Sequence, residues 1–115
     1  MKILYVENHA VFAAQVSSKF LSKHDITLVP GLTEARQALS NVDFNIVLVD
    51  YDLDDGKGDE LVREIRTVQS RLPIIAVSSH DPGNQAMLKA GANAICSKMD
   101  FDQIQTIIQN VVRAV

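Results

Sequence analysis

One cysteine, Cys96, among 115 residues leaves no partner for an internal disulfide, so a buried thiol in a reducing compartment is the plain reading. No apolar run approaches the roughly 20 residues of a membrane span, and the N-terminus lacks a signal-peptide hydrophobic stretch. Positive charge is scarce. Lys and Arg number 11 against 14 Asp and Glu, for a net charge of −3, and no basic cluster supplies the footprint that nucleic acid requires. Repeats, low-complexity tracts and linkers are also missing. These absences point to one cytoplasmic domain over residues 1–115 that binds neither nucleic acid nor membrane. The 47% hydrophobic content is enough for one packed core.

What is present is a set of short apolar runs, each stopping at a polar residue. Ile3–Val6 ends at Glu7-Asn8, Ile46–Val49 at Asp50, Ile74–Val77 at Ser78, and Ala94–Ser97 at Lys98. These runs alternate with segments of helical period, the pattern of βαβ units and a parallel sheet. A strand is expected at 2–6, then a helix carrying Val11, Phe12, Val16 and Phe20. A second strand at Ile26–Val29 precedes Pro30-Gly31, with Thr33 as N-cap of a helix containing Ala35, Ala38 and Leu39. A third strand at Asn45–Val49 leads to a helix with Leu61, Val62, Ile65 and Val68 on one face. The fourth strand follows Pro73, and a short helix at 83–90 ends on Gly91. The last helix carries Phe101, Ile104, Ile107, Ile108, Val111, Val112 and Val115, with Asp100 and Gln103 forming a weak capping box.

Strands 1, 3 and 4 are apolar on both faces and belong in the sheet interior, whereas strands 2 and 5 are less uniform and suit its edges. The expected fold is a flavodoxin-like, doubly wound α/β domain of five parallel strands in the order 2-1-3-4-5, with five helices. The topological switch point then lies between strands 1 and 3, placing Glu7-Asn8 beside Asp50 at the carboxyl edge.

Glu7, Asp50 and Asp52 gathered there would repel one another, so a divalent cation is the natural neutraliser, and an all-oxygen donor set fits Mg²⁺ better than zinc. Asp50 could then attack a phosphoryl donor and form an acyl phosphate, with Lys98 and the Ser78 hydroxyl meeting the other oxygens. Gly56 and Gly58 let the following loop pass close to the site. Asp54, Asp55, Asp59 and Glu60 read as a solvated loop and first helical turn. Asp52 stays open between loop and metal. His9, His24 and His80 lack the spacing of transition-metal ligands.

The ordered set Ile3-Leu4-Tyr5-Val6-Glu7-Asn8-His9, Val47-Leu48-Val49-Asp50-Tyr51-Asp52-Leu53 with Gly58, Val77-Ser78-Ser79, and Ala90-Gly91-Ala92-Asn93-Ala94 leading to Lys98 resembles the receiver domain of bacterial two-component response regulators. The resemblance runs over the whole chain and is closest to the single-domain, chemotaxis-regulator kind. It implies that Asp50 is the phosphoacceptor, loaded from a phosphohistidine on a sensor histidine kinase or phosphotransfer protein. Glu7 and Asn8 would occupy the metal pair, Ser78 the hydroxyl switch and Lys98 the phosphate-binding lysine. The output would be a shift of the strand 4 and strand 5 face, with helices 4 and 5, that remakes a surface for a downstream protein. Whether two copies pair through that face stays open. The chain stops with its fifth helix, so the expected output is a partner protein or onward transfer unless the sequence is a piece of a longer one.

Three positions depart from the family pattern. Asn8 stands where a second acid is usual, which should weaken Mg²⁺ binding unless Asp52 makes up the charge. Met99 replaces the usual proline after the lysine, so the Lys98–Met99 bond is either trans with a changed loop or strained. Ile95 replaces the aromatic switch residue of strand 5, so the output movement is muted or carried differently. The alternative is a pseudo-receiver, an interaction module that no longer responds to phosphorylation. A remote one is a phosphatase of the haloacid-dehalogenase type, suggested by Val49-Asp50-Tyr51-Asp52 but lacking that motif's usual place on the first strand.

Overall fold

Leu4, Val6, Val47, Val49, Ile74 and Ala76 point to one face of the central sheet, and Ile3, Tyr5, Ile46, Leu48, Ile75 and Val77 to the other; all are fully buried. Strands greasy on both faces need helices on both faces, and that requirement organises the domain. In the computed structural model, which describes residues 1–114, the chain runs β1 (Lys2–Val6), α1 (Ala10–Phe20), β2 (Asp25–Val29), α2 (Leu32–Asn41), β3 (Ile46–Val49), α3 (Gly58–Val68), β4 (Ile74–Ala76), α4 (Asp81–Ala90), β5 (Ala94–Ile95) and α5 (Ile104–Ala114). The five strands are parallel in the order β2-β1-β3-β4-β5, as expected. β2 and β5 are the half-exposed edges. Helices α2, α3 and α4 supply Leu32, Ala35, Leu61, Val62, Ile65 and Met87 to one core cluster. Helices α1 and α5 supply Ala13, Val16, Ile104, Ile108 and Val111 to the other. Among the described residues no helix is long and apolar enough to cross a membrane.

The sequence periodicity overreaches at helix ends. Val11 is 72% exposed and Val68 80% exposed, each in an end turn of its helix. Val115 lies outside the described residues. Gly91 closes α4 with φ 124°, the left-handed position expected of it. A two-residue antiparallel ladder, Asp52–Leu53 with Gly56–Lys57, follows β3 and was not visible in the pattern.

Two caps differ from expectation. Thr33 is not the N-cap of α2: Gly31 holds that place in extended backbone and has no side chain to offer. The oxygen comes instead from Asp55, far along the chain, whose carboxylate accepts Leu32 N at 2.7 Å, Thr33 N at 3.0 Å and the Thr33 hydroxyl at 2.9 Å. These donors hold the Asp55 carboxyl down at about 2. A carboxyl depressed below its unfolded value stabilises the fold above about pH 4 and loses that effect as pH falls toward the folded value. Asp55→Ala is therefore expected to raise amide exchange at Leu32 and Thr33 at neutral pH, and to match the parent there near pH 2. A uniform change across α2 would mean that the carboxylate does not act as its cap.

At the other end, the Asp100–Gln103 capping box does not form. Residues Lys98–Gln103 make a 3₁₀ segment kinked at Asp100 (φ −121°, ψ 32°), capped by Ser97, whose hydroxyl accepts Met99 N at 3.2 Å. No peptide bond among the described residues is cis, so Lys98–Met99 is trans with a changed loop. A proline at Met99 would have no N–H for that cap.

Candidate functional site

The register of the sheet brings the predicted residues to one edge. Glu7 N donates to Val29 O at 2.9 Å, Asp50 N to Val6 O at 2.9 Å, Val77 N to Val49 O at 2.8 Å and Cys96 N to Ala76 O at 2.8 Å. The ladders thus run on to the carboxyl ends of the strands, where Glu7, Asp50, Ser78 and Lys98 stand. Glu7, Asp50 and Ser78 are all at least 97% buried (3%, 3% and 2% exposed). Gly58 lets the loop after Asp50 return this closely: a Cβ there would stand 2.1 Å from the Asp50 carbonyl oxygen.

Lys98 closes the arrangement. Its ammonium lies 2.7 Å from Glu7 Oε1 and 2.9 Å from Asp50 Oδ2, with the Phe12 ring 5.2 Å away on α1. Asp50 Oδ1 accepts the Tyr51 N–H at 2.8 Å, and Glu7 Oε2 accepts the His9 N–H at 3.1 Å. Burial pushes the Glu7 carboxyl up; the Lys98 hydrogen bond pulls it back, and the Asp50 carboxylate pushes it up again, for a net rise. Burial alone would lower the Lys98 pKa, but hydrogen bonds to Glu7 and Asp50 outweigh it and the net direction is up. The ammonium stays charged at neutral pH. The Ser78 hydroxyl accepts His80 N at 3.1 Å, leaving its own proton free to be donated.

Asn8 donates its amide to Asp54 Oδ1 at 3.3 Å, while its Oδ1 is buried without a hydrogen-bond partner. A buried amide oxygen with no donor is an available ligand atom. With Glu7 and Asp50 it gives oxygen donors only, which fits a hard cation such as Mg²⁺. The Asp52 carboxylate is not brought to this cluster. It is 57% exposed and pairs with Lys57 at 2.6 Å across the short ladder, which lowers its pKa. Among the described residues no three acidic, imidazole or thiol groups gather tightly enough to hold an ion by themselves. Cys96 is buried and its thiol is pushed up to about 11 by burial, with Asp100 and Asp102 adding to it, so it is no nucleophile.

Four residues joined the site without being singled out for it. Phe12 read only as helix core; Tyr51 lies between His80 (ring centroids 5.8 Å apart) and the Lys57 ammonium at 5.4 Å. Asp54 holds the Asn8 amide. Asn84, 1% exposed in α4, donates to the Ser78 carbonyl at 2.9 Å.

The family model for the response regulator receiver domain matches residues 3–109. A curated relative, the histidine kinase CKI1 of Arabidopsis thaliana, is 32% identical over 90 residues, which cover 70% of this chain and 8% of that protein. The chain therefore spans less than a tenth of that relative's length. Among solved structures, the receiver domain of the sensor histidine kinase PA1611 from Pseudomonas aeruginosa PAO1, with a magnesium ion coordinated in its active site cleft, is 26% identical, covers 97% of each chain and superposes with a TM-score of 0.87. A two-component response regulator from Clostridium difficile is 20% identical with a TM-score of 0.87, over 98% of this chain and 96% of that one. The receiver domain of NtrX from Brucella abortus, 20% identical, gives a TM-score of 0.88 over 98% of this chain and 99% of that one. With a fold of five parallel strands and a buried acid–lysine cluster at the carboxyl edge, the chain belongs to the response regulator receiver domain family.

Proposed function

We propose that this domain is a phosphoacceptor switch of a cytoplasmic two-component system, a signalling module rather than an enzyme, in which Asp50 takes a phosphoryl group from a phosphohistidine. The observation that carries the reading is the pairing of one ammonium, Lys98, with two buried carboxylates, Glu7 and Asp50, beside an unpartnered Asn8 oxygen. The donor is a sensor histidine kinase or phosphotransfer protein, and the receiver of the signal is a downstream protein that reads the β4–β5 face with α4 and α5.

Glu7, Asn8 and Asp50 are the residues that would hold Mg²⁺, with Asp52 adding charge at the rim. When bound, the ion supplies positive charge to the phosphoryl oxygens. An Asp50 oxygen forms a bond to phosphorus while the P–N bond to the donor imidazole breaks, and the departing imidazole takes a proton from solvent. Lys98 exchanges its bond to Asp50 for one to the transferred group, and the Ser78 hydroxyl donates to another of its oxygens. Tyr51 N–H keeps the carboxylate oriented.

Incubation with acetyl phosphate and Mg²⁺ is expected to add one labile phosphoryl group, seen by mass spectrometry and abolished by Asp50→Asn. No adduct at saturating donor would favour the pseudo-receiver reading, which Asn8, Met99 and Ile95 support. The phosphatase alternative finds no support, because Asp52, its acid/base, is engaged with Lys57. A separate Mg²⁺ titration checks the rim: Asp52→Asn should weaken binding about two- to fivefold, as befits an exposed charge. Unchanged affinity would remove Asp52 from the metal site.

A further inference from the structure

Asn84 has a geometry that folding alone does not call for. It closes the first turn of α4, where its backbone N donates to His80 O at 3.0 Å. Its side chain is 1% exposed, and the two ends of its carboxamide are treated differently. Nδ2 donates to the Ser78 carbonyl at 2.9 Å, whereas Oδ1 is buried with no partner. The reverse orientation would set oxygen against oxygen, so the Ser78 carbonyl fixes the amide this way round. An orphaned buried acceptor is costly, so this end of the amide gains from any arrangement that brings it a donor.

The Ser78 carbonyl is itself shared. It also accepts the backbone N–H of Lys98 at 3.3 Å, so one oxygen joins the end of β4, the Lys98 segment and α4. The start of α4 is otherwise held weakly. Its N-cap, His80, makes no side-chain cap bond, and its first turn contains Pro82 and Gly83. Apart from the Ser78 hydroxyl, which accepts the N–H of the N-cap His80 at 3.1 Å, no other side-chain hydrogen bond among the described residues ties the start of α4 to the sheet edge.

We infer that Asn84 is a latch that holds Ser78 and the first turn of α4 in the unphosphorylated arrangement, and that its bond to the Ser78 carbonyl is given up when Ser78 turns to the phosphoryl group. This rests on the phosphoacceptor reading above and deepens it by naming the residue that passes the state of Asp50 to α4. Ile95 lacks the aromatic ring that reports on that state in related domains, and Asn84 supplies a route that does not need one. In the released arrangement the amide is free to turn and offer its orphaned oxygen a donor.

The test compares the parent with Asn84→Leu, which removes both the latch bond and the orphaned acceptor at similar volume, and with Asn84→Ser, which removes the latch bond with a smaller side chain. Amide exchange of Gly83–Gln85 and acetyl phosphate loading of Asp50 are measured with and without beryllium fluoride and Mg²⁺. In the parent, beryllium fluoride should speed exchange in this turn several-fold. In the variants exchange should already be fast, beryllium fluoride should change it less than about twofold, and loading should be about three- to tenfold faster, the scale of losing one hydrogen bond that holds the unloaded form. Variants that respond as the parent does, or that exchange faster along all of α4 with loading unchanged, would overturn the latch while leaving Asp50 the phosphoacceptor. A parent that neither loads nor responds to beryllium fluoride would overturn both.

Discussion

Replacing Lys98 with methionine is expected to cost about 3–5 kcal/mol of stability at pH 7, because two buried carboxylates lose the counter-charge they share. The Glu7 side chain is fully buried and that of Asp50 is 4% exposed, so water does little to replace the ammonium. The deficit has a pH signature. A carboxyl whose folded pKa is raised, as burial raises that of Glu7, favours the fold below its unfolded pKa, and that contribution disappears as pH rises through the folded value. Without Lys98 the rise is larger, so the variant's deficit is greatest at neutral pH and shrinks as pH falls toward the ordinary carboxylate range, about 4 to 5. Urea denaturation of parent and variant at pH 7 and pH 5 measures both ends. Mg²⁺ should return part of the stability at pH 7, since an ion that binds only the folded protein shifts the balance by mass action. An equal deficit at both pH values would mean that Lys98 acts through its packing against Phe12 instead of through charge. Acetyl phosphate loading should fall about 100-fold in the same variant, the scale of losing one charge-stabilising donor.

That cluster was legible in the sequence for a simple reason. A polar residue directly after a run buried on both faces has only the sheet's edge to occupy, so Glu7, Asp50 and Ser78 announced their positions by where the apolar runs stop, and Lys98 by its place at the end of the last strand. The strand order was legible on the same ground, because partial burial of Ile26–Val29 and Ala94–Ile95 follows from their mixed composition. Contacts between side chains distant in sequence carry no such periodic signal. Asp55 looked like loop solvation because the helix it caps begins 23 residues earlier. Asp52 lies two residues beyond Asp50, and the sequence did not show that a short ladder pairs its carboxylate with Lys57. The loop at Met99 turned on one N–H that a proline would lack, and the sequence offered two outcomes without ranking them. Asn84 and Phe12 each matched a helical pattern, which says which way a side chain faces and nothing about what it finds there.

Arg66 is the strongest case of this kind, and its loss should have a large, purely structural effect. It is only partly buried on α3, and nothing in its helical position distinguishes it from Arg63 one turn earlier. Its guanidinium nevertheless reaches four acceptors on two connecting segments: Nε donates to Gly91 O at 2.9 Å, Nη1 to Leu72 O at 2.7 Å and Gln69 O at 3.4 Å, and Nη2 to Asn93 Oδ1 at 2.8 Å. It thus satisfies carbonyls beyond the ends of α3 and α4 that the helices leave open. The same Asn93 oxygen accepts Ile74 N at 2.8 Å, and Asn93 N donates to Ile74 O at 2.8 Å, so the fork also fixes the entry of β5 beside β4. Arg66→Ala should cost about 3 kcal/mol, because several partners lose a charged donor at once and two of these bonds are partly shielded from solvent. Arg66→Lys should recover little of it, since a lysine keeps the charge without the planar fork. Denaturant midpoints give the magnitude, and native-state amide exchange gives the place: Ile74, Gly91 and Asn93 should lose protection first. Acetyl phosphate loading of the folded fraction should stay near that of the parent, because Arg66 sets where β5 begins and not what Lys98 touches at its far end. Full recovery by lysine would show that the charge, and not the geometry of the fork, holds this corner of the domain together.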